Sequence, residues 1–101
     1  MIIAVDFDGT LAFTEYPKIL SPITKVVNYC KSRKSMGDTL ILWTCRHGKE
    51  LDEAIEWCEF LGLTFDYVNE SPPDRVDKYG DSRKVYADIY LDDHNCLLCQ
   101  I

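Results

Sequence analysis

The sequence predicts a single α/β domain built on a parallel sheet of about four strands, with flanking helices. Two observations predict it. Four short apolar runs, near residues 2–6, 39–44, 64–68 and 86–91, bracket two stretches of helical periodicity. The runs are nearly continuous rather than alternating, the pattern of parallel strands covered on both faces. With 101 residues, 47% of them apolar, the chain suffices for one core and not for two, so residues 1–101 read as one domain.

The first strand is Ile2-Ile3-Ala4-Val5, running into Asp6. Residues 10–20 read as a connector rich in turn and aromatic residues, Phe13, Tyr16 and Pro17 among them. Ser21-Pro22 reads as a helix cap followed by a first-turn proline. Ile23, Val26, Val27 and Cys30 then recur at helical spacing, with Gly37 as the stop. Thr39-Leu40-Ile41-Leu42-Trp43-Thr44 is the second strand. A second helix starts near Gly48, carries Leu51, Ala54, Ile55, Cys58 and Leu61 on one face, and closes at Gly62. The third strand runs from about Thr64 to Val68. Residues 69–85, with Pro72-Pro73 and many charges, read as a loop long enough to be functional or mobile. Tyr86 to Leu91 is the fourth strand, followed by Asp92-Asp93.

Composition restricts partners and compartment. The formal charge of −6 disfavours a nucleic-acid backbone, yet a divalent cation can reverse the local field for a phosphorylated substrate. There is no apolar run long enough to span a membrane, and the first residues lack the basic and apolar regions of a secretion signal. Five cysteines, an odd number, point to reduced thiols in the cytoplasm.

Chemistry gathers at the strand ends. Asp6-Phe7-Asp8-Gly9-Thr10 follows the first strand, Thr44-Cys45-Arg46 ends the second, and Asp92-Asp93 ends the fourth. In a parallel sheet these ends lie on one edge, where ligands bind in open α/β folds. Two carboxylates two residues apart can share one cation and divide nucleophile and acid roles, and Gly9 suits a turn with unusual backbone angles. Individually these features are ordinary: acidic turns, a turn threonine, a capping aspartate. Their convergence on one edge argues for a site.

Asp6-Phe7-Asp8-Gly9-Thr10, Leu42-Trp43-Thr44, Lys84 and Ile89-Tyr90-Leu91-Asp92-Asp93 resemble, in order and placement, the four motifs of the haloacid dehalogenase-like (HAD) hydrolase superfamily. The resemblance covers residues 1 to about 95. It implies a three-layer, Rossmann-like domain with strand order third–second–first–fourth, and phosphoryl transfer through an aspartyl-phosphate with Mg²⁺. On that resemblance Asp6 is the nucleophile, and Asp8 protonates the leaving oxygen and then deprotonates water. Thr44 and the backbone N–H of Cys45 bind a phosphoryl oxygen, and Lys84 neutralises the phosphate. Lys84 is preferred to Arg75, Lys78 and Arg83 because it precedes the fourth strand, where the family's lysine lies. The Mg²⁺ shell takes Asp6, the backbone carbonyl of Asp8, and Asp92, with Asp93 beside Asp92 or in its place.

An acid at position 8 favours a phosphatase over a dehalogenase, because halide leaves without a proton whereas a phosphate ester needs one. The spans from Thr14 to Asp38 and from Cys45 to Arg83 leave no room for a cap domain, so the chain looks like the capless branch. An open site suits bulky phosphorylated substrates, or a lid from residues 11–20 or 69–85. The chain runs only eight residues past Asp93, and relatives usually continue with a further helix; homo-oligomerisation would cover the face this leaves. The competing functions are a non-catalytic module that binds metal and phosphate, and a phosphotransferase to an acceptor other than water. Cys96 and Cys99 with His94 have metal-ligand spacing but no second pair, and read as reduced thiols. Cys45 reads as a spectator prone to oxidation. His47 reads as a helix-start residue, and Trp43 and Trp57 as packing residues.

Overall fold

The structure, a computed structural model, describes residues 1–70 and 87–92. It is an α/β fold with the element order β1 (Ile2–Val5), β2 (Ala12–Glu15), β3 (Lys18–Pro22), α1 (Thr24–Ser35), β4 (Thr39–Leu42), α2 (Gly48–Phe60), β5 (Tyr67–Val68) and β6 (Ile89–Leu91). β5, β4, β1 and β6 form, in that order, a four-stranded sheet whose pairs are all parallel. β2 and β3 form a separate antiparallel hairpin.

Alternate side chains of each strand divide between the two faces. Ile3, Val5, Leu40, Leu42 and Leu91 join Val26, Val27 and Cys30 of α1 and Ala54 and Cys58 of α2 in one core. Ile2, Ala4 and Ile41 form a second cluster on the opposite face with Trp43, Tyr67 and Tyr90. Both helices therefore pack on the same face. That follows from handedness: β1, β4 and β5 advance in one direction across the sheet, and right-handed crossovers then fall on one side. Among the described residues no helix covers the second face. The described part is two-layered, where three layers were expected.

Two aspartates complete the ladder at the amino-terminal ends of the outer strands. Asp88 accepts from the Ile2 N–H at 2.8 Å and donates its own N–H to the Ile2 carbonyl at 2.8 Å. Asp66 does the same for Leu40, at 2.9 Å in both directions. Backbone groups that a short ladder leaves open are thus satisfied before the strand begins.

The helices match the periodicity, with α2 starting at Gly48 and α1 ending just before Gly37. Gly62 follows α2 at φ +83°, a left-handed conformation that closes a helix cheaply only with glycine. The segment before α1 differs from expectation. Residues 12–22 form the β2–β3 hairpin, where 10–20 were read as a connector and Ser21-Pro22 as the start of a helix, with a register shift at Phe13/Thr14 and a cis Tyr16–Pro17 peptide in its turn. Pro22 belongs to β3, Ile23 is the N-cap, and α1 starts at Thr24. Proline is tolerated there because an edge strand can spare one N–H. The period-two pattern is obscured because one strand carries an extra residue at the register shift.

Leu42, fully buried in the helix-facing core, sets the stability scale. Leu42→Ala is expected to lower unfolding free energy by about 2–5 kcal/mol, read as a reduced urea midpoint at unchanged slope.

Candidate active site at the carboxyl edge of the sheet

Three strand ends meet at this edge because the register aligns them. Val5 pairs with Leu42 on one side and with Leu91 on the other. The ladder continues one step further: the Asp6 N–H donates to the Leu91 carbonyl at 2.9 Å, and the Trp43 N–H to the Val5 carbonyl at 2.9 Å. Asp6 therefore lies between the chain entering Asp92 and the chain entering Thr44. Asp6, Asp8, Thr44 and Asp92 are half-buried, and Cys45 is exposed. Lys84 and Asp93 lie outside the described residues, as do His94, Cys96 and Cys99.

The turn after β1 is tight. The Phe7 carbonyl accepts from the N–H groups of Thr10, Leu11 and Ala12, Gly9 sits at φ +79°, and the Gly9 N–H donates to the Ala12 carbonyl. Phe7 is fully buried, its ring edge-on to Trp57 at 5.6 Å between centroids. Burial of Phe7 anchors the turn and leaves Asp6 and Asp8 flanking it, each partly accessible.

The Asp8 carboxylate is held by a partner that the motif reading did not assign. Arg46 donates through Nε to Oδ2 at 2.9 Å and through Nη2 to Oδ1 at 2.8 Å, the planar fork of a bidentate pair. Thr14 of β2 donates its hydroxyl to Oδ1 at 2.8 Å. Arg46 is only 2% exposed. Its Nη1 reaches the carbonyls of Pro17 and Glu50, and its guanidinium carbon lies 4.9 Å from the Phe7 ring centroid and 5.0 Å from that of Tyr16. Partial burial pushes the Asp8 pKa up; the hydrogen bonds from Arg46 and Thr14 and the Arg46 charge outweigh it and hold the carboxyl below its ordinary value. The hydrogen bonds to Asp8 in turn push Arg46 above its own ordinary value, against the opposing effect of its burial.

Thr44 is fixed from both sides. Its N–H donates to Asn69 Oδ1 at 2.8 Å, and its hydroxyl oxygen accepts from the Arg46 N–H at 3.1 Å, which leaves its own O–H to donate. Asn69 follows β5 in the left-handed region at φ 54°, a conformation asparagine tolerates, and its N–H returns to the Leu42 carbonyl. Next in the chain, His47 is the exposed N-cap of α2.

The donor set suits Mg²⁺. Asp6 and Asp92 are oxygen donors on adjacent strand ends. Mg²⁺ commonly takes one or two carboxylates and keeps several waters, so it does not require the cluster of three metal-binding side chains that is absent among the described residues. The Asp8 side chain is engaged by Arg46 and Thr14.

Arg46, Thr14 and Asn69 were not among the residues singled out. A basic residue two places after Thr44 was the available signal for Arg46. Thr14 carried none while residues 10–20 read as a connector, and Asn69 read as the first loop residue. Among the described cysteines, burial pushes Cys30 and Cys58 up to about 12, and Cys45 is exposed. Brief alkylation of the native protein followed by peptide mapping is expected to modify Cys45 and spare Cys30 and Cys58.

No protein-family model matches this chain, and no curated protein matches it. A solved structure does: a conserved protein coded by a locus of Bacteroides thetaiotaomicron, 45% identical, with a TM-score of 0.82 over 95% of this chain and 78% of that one. With identity and coverage at that level, this chain belongs to the same family as that conserved protein.

Proposed function

We propose that the protein is a HAD-like, Mg²⁺-dependent phosphatase that hydrolyses a phosphate monoester through an aspartyl-phosphate on Asp6. The observation that carries the reading is the meeting of Asp6, Thr44 and Asp92 on one sheet edge, joined through the backbone bond from Asp6 to Leu91. Strand register and the motif resemblance together support it.

In this reading the Asp6 carboxylate attacks phosphorus in line, and the leaving oxygen departs on the opposite side. The Thr44 O–H and the Cys45 N–H hold a phosphoryl oxygen, and Lys84 adds positive charge. Bound Mg²⁺, held by Asp6, the Asp8 carbonyl and Asp92, with Asp93 beside Asp92 or in its place, would neutralise charge on the transferring phosphoryl group. Asp8 serves the proton. Its pair with Arg46 favours the carboxylate, which is the form needed to take a proton from the attacking water. Donating a proton to the leaving oxygen requires uptake against the Arg46 charge, which the negative phosphate and Asp6 oppose.

The same reading takes the enzyme as cytoplasmic and its substrates as phosphorylated, bulky ones included; among the described residues no helix is long and apolar enough to cross a membrane. The test is hydrolysis of p-nitrophenyl phosphate with Mg²⁺ and with EDTA, followed by a panel of phosphorylated metabolites and polymers. Metal-dependent release of inorganic phosphate is expected. Metal binding with no turnover on any phosphoester would instead establish a binding module, and transfer to a non-water acceptor would show in the products.

A further inference from the structure

We propose, resting on the phosphatase reading, that Arg46 and Thr14 are positioning residues that fix the plane and position of the Asp8 carboxylate. A carboxylate offers about two acceptor directions on each oxygen. On Oδ1 both are taken, by Arg46 Nη2 and Thr14 Oγ1, each at 2.8 Å. Oδ2 accepts from Arg46 Nε at 2.9 Å, so both oxygens of the carboxylate are held.

Arg46 is itself immobilised. Three parts of the chain hold it besides Asp8: the Pro17 carbonyl in the hairpin turn, the Glu50 carbonyl in the first turn of α2, and the facing rings of Phe7 and Tyr16. Four of the bonds that its five N–H groups can make are accounted for, so Arg46 is committed to scaffold and is not a free cation for substrate. A buried ion pair is a poor way to gain stability compared with apolar packing. A rigid fork that sets the plane and position of a carboxylate is what a proton-transfer group requires. Thr14 extends the same support to the hairpin, so the β2–β3 turn and the carboxylate are fixed as one unit.

The test uses the full chain, Mg²⁺ and p-nitrophenyl phosphate. Thr14→Val and Arg46→Lys are measured singly and again in an Asp8→Asn background, with urea unfolding to confirm folding. Valine keeps the shape of threonine without the donor, and lysine keeps the charge without the fork. Each single variant is expected to lower kcat by about tenfold while KM stays within about twofold. In the Asp8→Asn background the same substitutions are expected to cost less than about twofold, because the group they position is gone. A raised KM at unchanged kcat would overturn the proposal by making these residues substrate contacts. An undiminished loss in the Asp8→Asn background would overturn it by making their role merely structural; either result leaves the phosphatase reading standing. Should Arg46→Lys fail to fold, Thr14→Val decides the matter alone. Wild-type protein without metal-dependent turnover on any phosphoester would overturn the phosphatase reading, and this proposal with it.

Discussion

Asp6→Asn is expected to lower Mg²⁺-dependent hydrolysis of p-nitrophenyl phosphate by on the order of 10³-fold or more, with the fold intact. An amide nitrogen and oxygen cannot form the acyl phosphate, and the neutral side chain also loses an anionic oxygen that a hard cation needs. The fold should survive because the substitution is isosteric and retains the Asp6 backbone N–H bonded to the Leu91 carbonyl. Initial rates at saturating Mg²⁺, with urea unfolding of both proteins in parallel, read the two consequences separately. A comparable rate in Asp6→Asn would remove the nucleophile from the account.

Arg46→Met is expected to be the most damaging single change to stability outside the apolar core. It removes the bidentate bond to Asp8, the bonds to the Pro17 and Glu50 carbonyls, and the contacts with the Phe7 and Tyr16 rings. Breaking a buried pair costs about 3–5 kcal/mol because a charge is left uncompensated. Here the Asp8 side chain keeps 32% exposure and water can solvate it, so the expected loss is about 2–3 kcal/mol.

The pair also sets an acid response. The folded-state pKa of Asp8 lies below its ordinary value, so its contribution is complete above that value and is lost as pH falls through the lowered one. In metal-free buffer, wild-type stability should therefore fall more steeply than that of Arg46→Met below about pH 4. Urea midpoints across that range check the sign. Parallel acid limbs would mean that Asp8 and Arg46 do not interact as their geometry requires.

The fold was legible where periodicity and burial coincide. Ile3, Val5, Leu40 and Leu42 are core residues of a parallel sheet, and Val26, Val27, Cys30, Ala54 and Cys58 are the buried faces of two helices. Gly48 and Gly62 bracket α2 closely, because glycine has few other uses at those backbone angles. The hairpin was not legible. Its strands are short, they border solvent, and the register shift breaks the alternation that identifies a half-buried strand. Pro22 misled because proline serves a first helical turn and an edge strand equally well.

In the site, residues at strand ends could be located from sequence alone, since a parallel sheet fixes which ends share an edge. Asp6, Thr44 and Asp92 fall in that class. Arg46 and Thr14 do not. Thr14 meets Asp8 only because the hairpin folds back over the turn after β1, and Arg46, though it follows a strand end, does so through a side-chain direction that the sequence does not encode locally. Asn69 belongs with them, because its role in holding the Thr44 N–H depends on β5 pairing with β4.

The central claim, a covalent phosphoryl intermediate on Asp6, is tested most directly by acid-quenching the protein during turnover and mapping its peptides by mass. The account predicts one phosphoryl group on the peptide that contains Asp6. It should form only with Mg²⁺, be released by hydroxylamine as an acyl phosphate is, and be absent in Asp6→Asn. Steady turnover with no phosphoryl group on that peptide at any quench time would contradict it.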